Sequence, residues 1–299
     1  MHIPVMPAES LELLAVKPDG VYLDCTAGLG GHTRLIAERL TTGYVIANDR
    51  DPQSIALAQA NTAEYASRIC FHYGVFGSLA EAVSQAGFAK VDGLLADLGV
   101  SRYQLTEPAR GFSFMQDGPL NMRMDSTGGA TADDLVNHSD EKTLADLIYQ
   151  LGEERRARRI ARAIVRARPI RSTLHLADVV LRAVPRTGHL HPATKTFMAL
   201  RMAVNDEPGE LRRLLEIGPE LLKSGARMVV ISFMSADDRQ VKQKFQALGR
   251  EGRATILTRH PLVPSEEERE GNAASRSARL RAVEMQLRGR GTKRFWGKR

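Results

Sequence analysis

Ten residues, Asp24-Cys25-Thr26-Ala27-Gly28-Leu29-Gly30-Gly31-His32-Thr33, hold the densest chemistry in this chain of 299 residues. An acid comes first, and three of the positions from 28 to 31 are glycine. Glycine accepts backbone angles that a side chain forbids, so such a turn lets the main chain approach a ligand closely. A helix starting behind the turn offers unpaired N–H groups to an anionic group. An acid ahead of the turn suits a cationic ligand end and repels a pyrophosphate. S-adenosylmethionine (SAM) carries both a cationic amino-acid end and a carboxylate. A nicotinamide dinucleotide fits less well, because Gly28-Leu29-Gly30-Gly31 lacks the third glycine of that fingerprint.

Elements must place this turn and bring further acids to it. The apolar run Val21-Tyr22-Leu23 ahead of Asp24 predicts a strand, and the residues after Gly31 predict a helix. A second strand, Tyr44-Val45-Ile46-Ala47-Asn48, ends at Asp49, nineteen residues beyond Gly30. A carboxylate there can accept both hydroxyls of a ribose, each charge-assisted bond contributing roughly 1.5–3 kcal/mol. Asp51-Pro52 reads instead as a helix N-cap followed by proline in the first turn. A third strand, Ile69 to Tyr73, and a fourth, Val91 to Asp97, follow with helices between them. Continuous apolar strands separated by helices predict a parallel sheet covered on both faces. Ligands of such sheets bind beyond the carboxyl ends of the strands. Asp24, Asp49, Phe76 and Asp97 all fall there.

From about Glu107 to His191 strand signals stop and helical stretches take over: Asp133 to Gly152, Glu153 to Ala167 and Leu174 to Val184. Helices are then expected at Thr194 to Val204, Gly209 to Leu222 and Asp237 to Leu248. A buried strand is expected at Arg227 to Phe233, with closing strands at Ala254 to Arg259 and Ala278 to Leu287. The expected class is α/β, a doubly wound Rossmann-like sheet with an inserted helical subdomain. Its expected parts are a core over 1–106, a helical substrate-recognition insertion over 107–192, the rest of the core over 193–287 and a basic tail over 288–299. Glu266 to Glu270 reads as a short exposed charge run.

Composition narrows the function classes. With 43% apolar and 26% charged residues the chain is of ordinary globular type. No apolar stretch approaches the ~18 residues of a membrane span, and no secretory signal is expected at the N-terminus. Two cysteines, Cys25 and Cys70, supply neither a disulfide framework nor a zinc site, so no metal is expected. The net charge of +7 is concentrated: eight arginines lie between Glu153 and Arg171, and nine basic residues face one acid from Arg276 to Arg299. Such clusters predict a polyanionic partner and salt-dependent binding.

Specific runs carry a resemblance. They include Gly28-Leu29-Gly30-Gly31-His32, Asp49-Arg50-Asp51-Pro52 and Asp97-Leu98-Gly99-Val100-Ser101 with Gln104-Leu105. They continue through Arg110-Gly111-Phe112-Ser113-Phe114-Met115-Gln116-Asp117-Gly118-Pro119-Leu120 and Asn121-Met122-Arg123-Met124-Asp125. Gly152-Glu153-Glu154-Arg155, Arg159 to Ile164, His191 to Phe197 and Val204-Asn205 complete the set. Together they resemble the bacterial RsmH (MraW) methyltransferase family almost from end to end.

The resemblance implies methyl transfer from SAM to the exocyclic N4 of a cytosine in the decoding region of 16S ribosomal RNA. It also implies a cytoplasmic protein acting on the small ribosomal subunit. Its SAM contacts would be Gly30, Gly31, His32, Asp49, Phe76, Asp97 and Gln104. Three departures stand out: Met234 where the family usually has histidine, Asn121 for a usual aspartate, and a shortened segment before the last strand.

Roles for the remaining candidates follow from the chemistry of methyl transfer, an in-line displacement at carbon in which positioning accounts for much of the rate. Asp97 either accepts from the adenine amino group of SAM, the preferred reading, or serves the target amine. No general base is identified. Phe112, Phe114 and Arg123 either stack on and clamp an extruded nucleotide or anchor the insertion to the sheet. Arg155 and Arg159 are expected to grip phosphates. Two rival readings remain: a SAM- and RNA-binding protein with catalysis impaired at Met234, and a DNA amino-methyltransferase.

Overall fold

The computed structural model describes residues 4–186 and 190–286; the basic tail expected over 288–299 lies outside the described residues. The chain divides into two compact units, one of residues 1–99 and 210–299, the other of residues 100–209.

In chain order the first unit opens with α1 (Pro7–Leu14), β1 (Val21–Asp24), α2 (Gly31–Ala37), β2 (Tyr44–Asp49) and α3 (Pro52–Asn61). It continues with β3 (Ile69–Tyr73), α4 (Leu79–Gln85) and β4 (Val91–Asp97). The second unit holds α5 (Arg102–Thr106), α6 (Ala132–His138), α7 (Glu141–Gly152), α8 (Ala157–Ala167), α9 (Thr173–Ala183) and α10 (Thr194–Val204). The boundary back falls in the first turn of α11 (Glu207–Leu221), after which come β5 (Leu222–Ser232), α12 (Ser235–Arg250), β6 (Ala254–Ile256), α13 (Glu266–Gly271) and β7 (Arg279–Met285).

The seven strands form one sheet in the order β3-β2-β1-β4-β5-β7-β6. Strands β1 to β5 pair in parallel, while β7 runs antiparallel to both β5 and β6. This is the doubly wound, Rossmann-like architecture expected, with one reversed strand that the apolar pattern could not distinguish. Successive residues of a strand enter opposite cores, as its pleat demands. Leu23, Leu94, Ala96, Met228 and Val230 pack in one cluster with residues of α4, α11 and α12. Tyr22, Leu95, Val229 and Ile231 pack in the other with residues of α1 and α2. Burying each such side chain contributes roughly 1.5–3 kcal/mol, so the strands are uniformly apolar. Cys25 is buried, Cys70 is half-buried, and both are free thiols.

The helical unit has its own core, in which Leu144 and Ile148 of α7, Ile160 and Ile164 of α8, Leu176 and Val180 of α9, and Phe197 and Leu200 of α10 meet. Helix α10 thus belongs with the insertion, and the core resumes at residue 210 rather than at 193. The apolar face of α10 could equally have covered a sheet; only packing assigns it. The single helix expected over 133–152 is two, because Asp140 accepts hydrogen bonds from the Thr143 N–H at 2.8 Å and its hydroxyl at 2.6 Å, capping α7 afresh. The charge run after Ser265 is also helical, as α13, with the Ser265 side chain as its cap. No described helix is long and apolar enough to cross a membrane, and no described cluster of His, Cys, Asp or Glu could hold a metal ion.

Candidate active site

The sheet unit gathers its acids at one end. Asp24 pairs in register with Ala47 and Leu95, and Asp97 with Ile231, so the tips of β1, β2, β4 and β5 lie side by side. Asp49 ends β2 opposite Tyr73 of β3. Phe76 follows at the same end.

Asp24 does not face a ligand. It is fully buried, and its carboxylate accepts from the Thr26 N–H at 3.1 Å and the Thr33 hydroxyl at 2.6 Å. Burial raises its pKa to about 6, against the pull of those hydrogen bonds. The expectation that it meets the cationic end of SAM is therefore corrected: Asp24 braces the turn from inside. Asp49 is half-buried and holds the Gly28 N–H at 2.8 Å on one oxygen and the Asp51 N–H at 2.9 Å on the other. Burial likewise raises its pKa to about 6. Each carboxylate oxygen has a second acceptor site. Asp51 caps α3 through the Gln53 N–H, as expected.

The glycines have separate duties. Gly30 caps α2 at φ 86°, and a Cβ there would meet Thr62 Cγ2 at 2.9 Å, so this position seats the turn against α3. Gly28, at φ 52°, has no atom nearer than 3.9 Å to where its Cβ would stand. Gly31 is covered by Pro4.

Asp97 is the unusual member. Its N–H donates to Thr26 Oγ1 at 2.7 Å, which ties β4 to the turn. The side chain is 22% exposed, yet its Oδ1 is buried without a hydrogen-bond partner. Burial, and then the negative charges of Asp24 and Glu268, push its pKa up to about 8. His32 lies alongside, with Nδ1 3.8 Å from Asp97 Oδ2, too long for a hydrogen bond. Its Nε2 is 3.0 Å from the Val5 carbonyl, which can only accept, so that nitrogen carries the proton. His32 is thus a buried bracket rather than a proton carrier open to substrate.

Two residues that the motifs did not indicate shape the same end. Asn48 donates through Nδ2 to the carbonyls of Cys25 and Gly74 and meets His72 Nδ1 at 2.8 Å, joining three strand tips. Glu210 is buried and accepts the Phe76 N–H at 2.8 Å while Arg213 Nη1 donates to its other oxygen at 2.7 Å. Phe76 itself is half-buried against the core. The polarity of Asn48 at the end of an apolar strand was a visible signal; Glu210, 134 positions from Phe76, had none.

The other candidates lie in the helical unit. Gln104 is buried and spends Oε1 on the Ser101 N–H, in a reciprocal cap of α5. Phe112 is 5% exposed, with the Arg110 guanidinium carbon 5.7 Å from its ring centroid. Phe114 packs against His191 and Phe197, each at 4.8 Å between centroids. Arg123 donates to Asn121 Oδ1 at 3.0 Å and to the carbonyls of Gly128 and Gly129. The rings of Phe112 and Phe114 and the guanidinium of Arg123 are engaged by residues of the helical unit itself. Asn121 supplies the Arg123 clasp. Arg155 and Arg159 are exposed.

The sequence profile of the MraW methylase family matches residues 1–286. The ribosomal RNA small subunit methyltransferase H of Solibacter usitatus (strain Ellin6076) is 78% identical over 285 residues, covering 95% of this chain and 100% of that protein. Proteins of the same name from Acidobacterium capsulatum and Syntrophobacter fumaroxidans are 48% and 47% identical, again over 95% of this chain, covering 98% and 96% of theirs. The chain belongs to the MraW methylase family. As a member it is a SAM-dependent methyltransferase, and the acid end of its sheet can be tested for fit to that donor. An orphaned buried acceptor on Asp97 suits an amino N–H of a ligand. The open face of Gly28, beside an Asp49 carboxylate already fixed in orientation, suits close approach by a hydroxylated ring. Met234 occupies the N-cap of α12 and supplies no side-chain acceptor.

Proposed function

We propose that the chain transfers the methyl group of SAM to the exocyclic N4 of a cytosine in 16S ribosomal RNA, within the small ribosomal subunit and in the cytoplasm. The observation that carries this reading is the 78% identity, over 95% of this chain and all of its relative, to a protein named for methylation of small-subunit ribosomal RNA. SAM, when bound, supplies a methyl group on a cationic sulfur.

The chain's own residues do the rest. Asp49 accepts the ribose hydroxyls, its carboxylate held in place by the Gly28 and Asp51 N–H groups. Asp97 Oδ1 accepts the adenine amino group, and Phe76 packs on the ring with its backbone held by Glu210. Gly28, Gly30 and Gly31 shape the turn, and Gln104 is a further proposed contact of SAM. The lone pair of a cytosine amine is conjugated with its ring, so alignment with the methyl carbon is the main requirement on the enzyme. Arg155 and Arg159 neutralise phosphates of the RNA.

Tritiated-methyl transfer to small subunits from cells lacking this modification, followed by mapping of the labelled nucleoside, tests the reading. Label in N4-methylcytidine of 16S RNA is expected. Label in DNA instead would favour a DNA amino-methyltransferase, and SAM binding without transfer would point to catalysis impaired at Met234.

A further inference from the structure

A second charged site lies at the other edge of the same sheet. Between α12, β6 and β7 a cleft of about 250 Å³ is lined by Lys242, Phe245, Ile256, Thr258, Arg259 and Arg281, among others. Its floor is apolar: Phe245 is buried, and Ile256 is 39% exposed. Its deepest cation is Arg281, whose side chain is only 7% exposed. Asp238 grips that guanidinium through Nε at 2.6 Å and Nη2 at 3.1 Å, which fixes its plane and leaves Nη1 without a hydrogen bond among the described residues. On the rims Lys242 and Arg259 make no ion pair or hydrogen bond among the described residues.

The carboxylates of the surrounding elements are already engaged. Asp238 is held by Arg281, Glu251 by Arg253 and Glu284 by Arg227, and Asp237 also has a partner. The cleft is therefore a net cationic hollow with one oriented guanidinium at its base, which matches an oxygen of a phosphodiester. Its position also fits the methyl-transfer end. Arg281 pairs with Val230, which pairs with Ala96, so it stands one residue below Asp97 on the sheet. Strands β4 and β6 are three places apart, roughly 14 Å at the usual strand spacing.

We propose that this cleft binds a phosphodiester of the substrate RNA a few nucleotides from the target base, a second anchor on the sheet unit. The inference rests on the RNA reading above. Lys242 and Arg259 neutralise the backbone, Arg281 orients one phosphate oxygen, and Ile256 supports the adjoining sugar or base.

The test uses the full chain with both rim cations removed, Lys242→Ala with Arg259→Ala. It measures KM for unmethylated small subunits and the affinity for protein-free 16S RNA over a salt series. KM is expected to rise severalfold, and the slope of log affinity against log salt to flatten by about 2. SAM affinity, kcat and thermal midpoint should stay as in the parent. A charge-keeping variant, Lys242→Arg with Arg259→Lys, should retain the parental slope. An unchanged KM and slope would overturn the inference. A raised KM with an unchanged RNA slope would also overturn it, assigning the cleft to a ribosomal protein. If the parent itself fails to label subunits, the RNA reading is at fault, while the salt slope still reports on the cleft.

Discussion

At the tips of β1, β2 and β4 three carboxylates are withdrawn from water, whereas along α8 and just before it arginines stand out into it. Asp24 and Asp49 spend their oxygens on backbone and hydroxyl donors at 2.6 to 3.1 Å, and Asp97 is tied to the same turn through its backbone N–H. On the arginine face Arg155, Arg158, Arg159 and Arg166 meet no carboxylate among the described residues, while Arg162 pairs with Glu141 at 3.3 Å and Arg156 with Glu154 at 3.2 Å. The first region is tied down by hydrogen bonds and, on the proposed function, would select by geometry. The second keeps long cationic side chains in solvent and, on the proposed function, would bind a polyanion by charge.

The largest effect is expected where charges are summed. Replacing Arg155, Arg158, Arg159 and Arg162 together by glutamine should lower RNA affinity on the order of 100-fold at low salt and flatten the salt slope by about 3. SAM affinity, measured by calorimetry, should not move. Unchanged RNA binding would remove the contrast between the regions.

A smaller effect is expected at Asp97. Asp97→Asn should weaken SAM binding about 10-fold to 100-fold, the range of a charge-assisted hydrogen bond. An amino N–H donated to Oδ1 favours the ionised carboxyl, so SAM binding to the parent should release a proton near pH 7. Calorimetry in buffers of different ionisation heat reads that proton, and the variant should release none. The same group sets a stability trend. Its pKa is raised from 3.8 to about 8, so the folded state holds a proton that the unfolded state has lost. Its contribution to stability is fully present below about pH 4 and is lost as pH rises towards 8. Denaturant midpoints of the ligand-free protein should show this decline, and Asp97→Asn should flatten its upper half.

The smallest effect sharpens the geometric side. Glu210→Ala removes the acceptor of the Phe76 N–H and should raise KM for SAM severalfold at nearly constant kcat. Glu210→Gln retains an acceptor and should restore most of the affinity. Equal losses of kcat and thermal midpoint in both variants would mark Glu210 as merely structural.

Part of the candidate site is legible in the sequence. The Gly28 to Gly31 turn, Asp49 and Asp97 were predicted at strand ends because short apolar runs between helices leave few alternatives. Asp24 was misjudged: an acid before a glycine turn has the same pattern whether it faces a ligand or the Thr33 hydroxyl. Phe112 and Phe114 were ambiguous for a related reason, since an aromatic ring is suited equally to stacking on a base and to filling a core.

The sequence by itself determined the alternation of elements, the chemical character of the turn and the location of the charge. These are local properties, set by periodicity of two or 3.6 residues and by the special backbone of glycine and proline. Tertiary structure alone decided that β7 runs against its neighbours, that α10 belongs to the helical unit, and that Glu210 holds Phe76 across 134 positions. Each depends on which surfaces meet after collapse. No local pattern records that choice, because the same apolar face or buried carboxylate satisfies many partners until packing selects one.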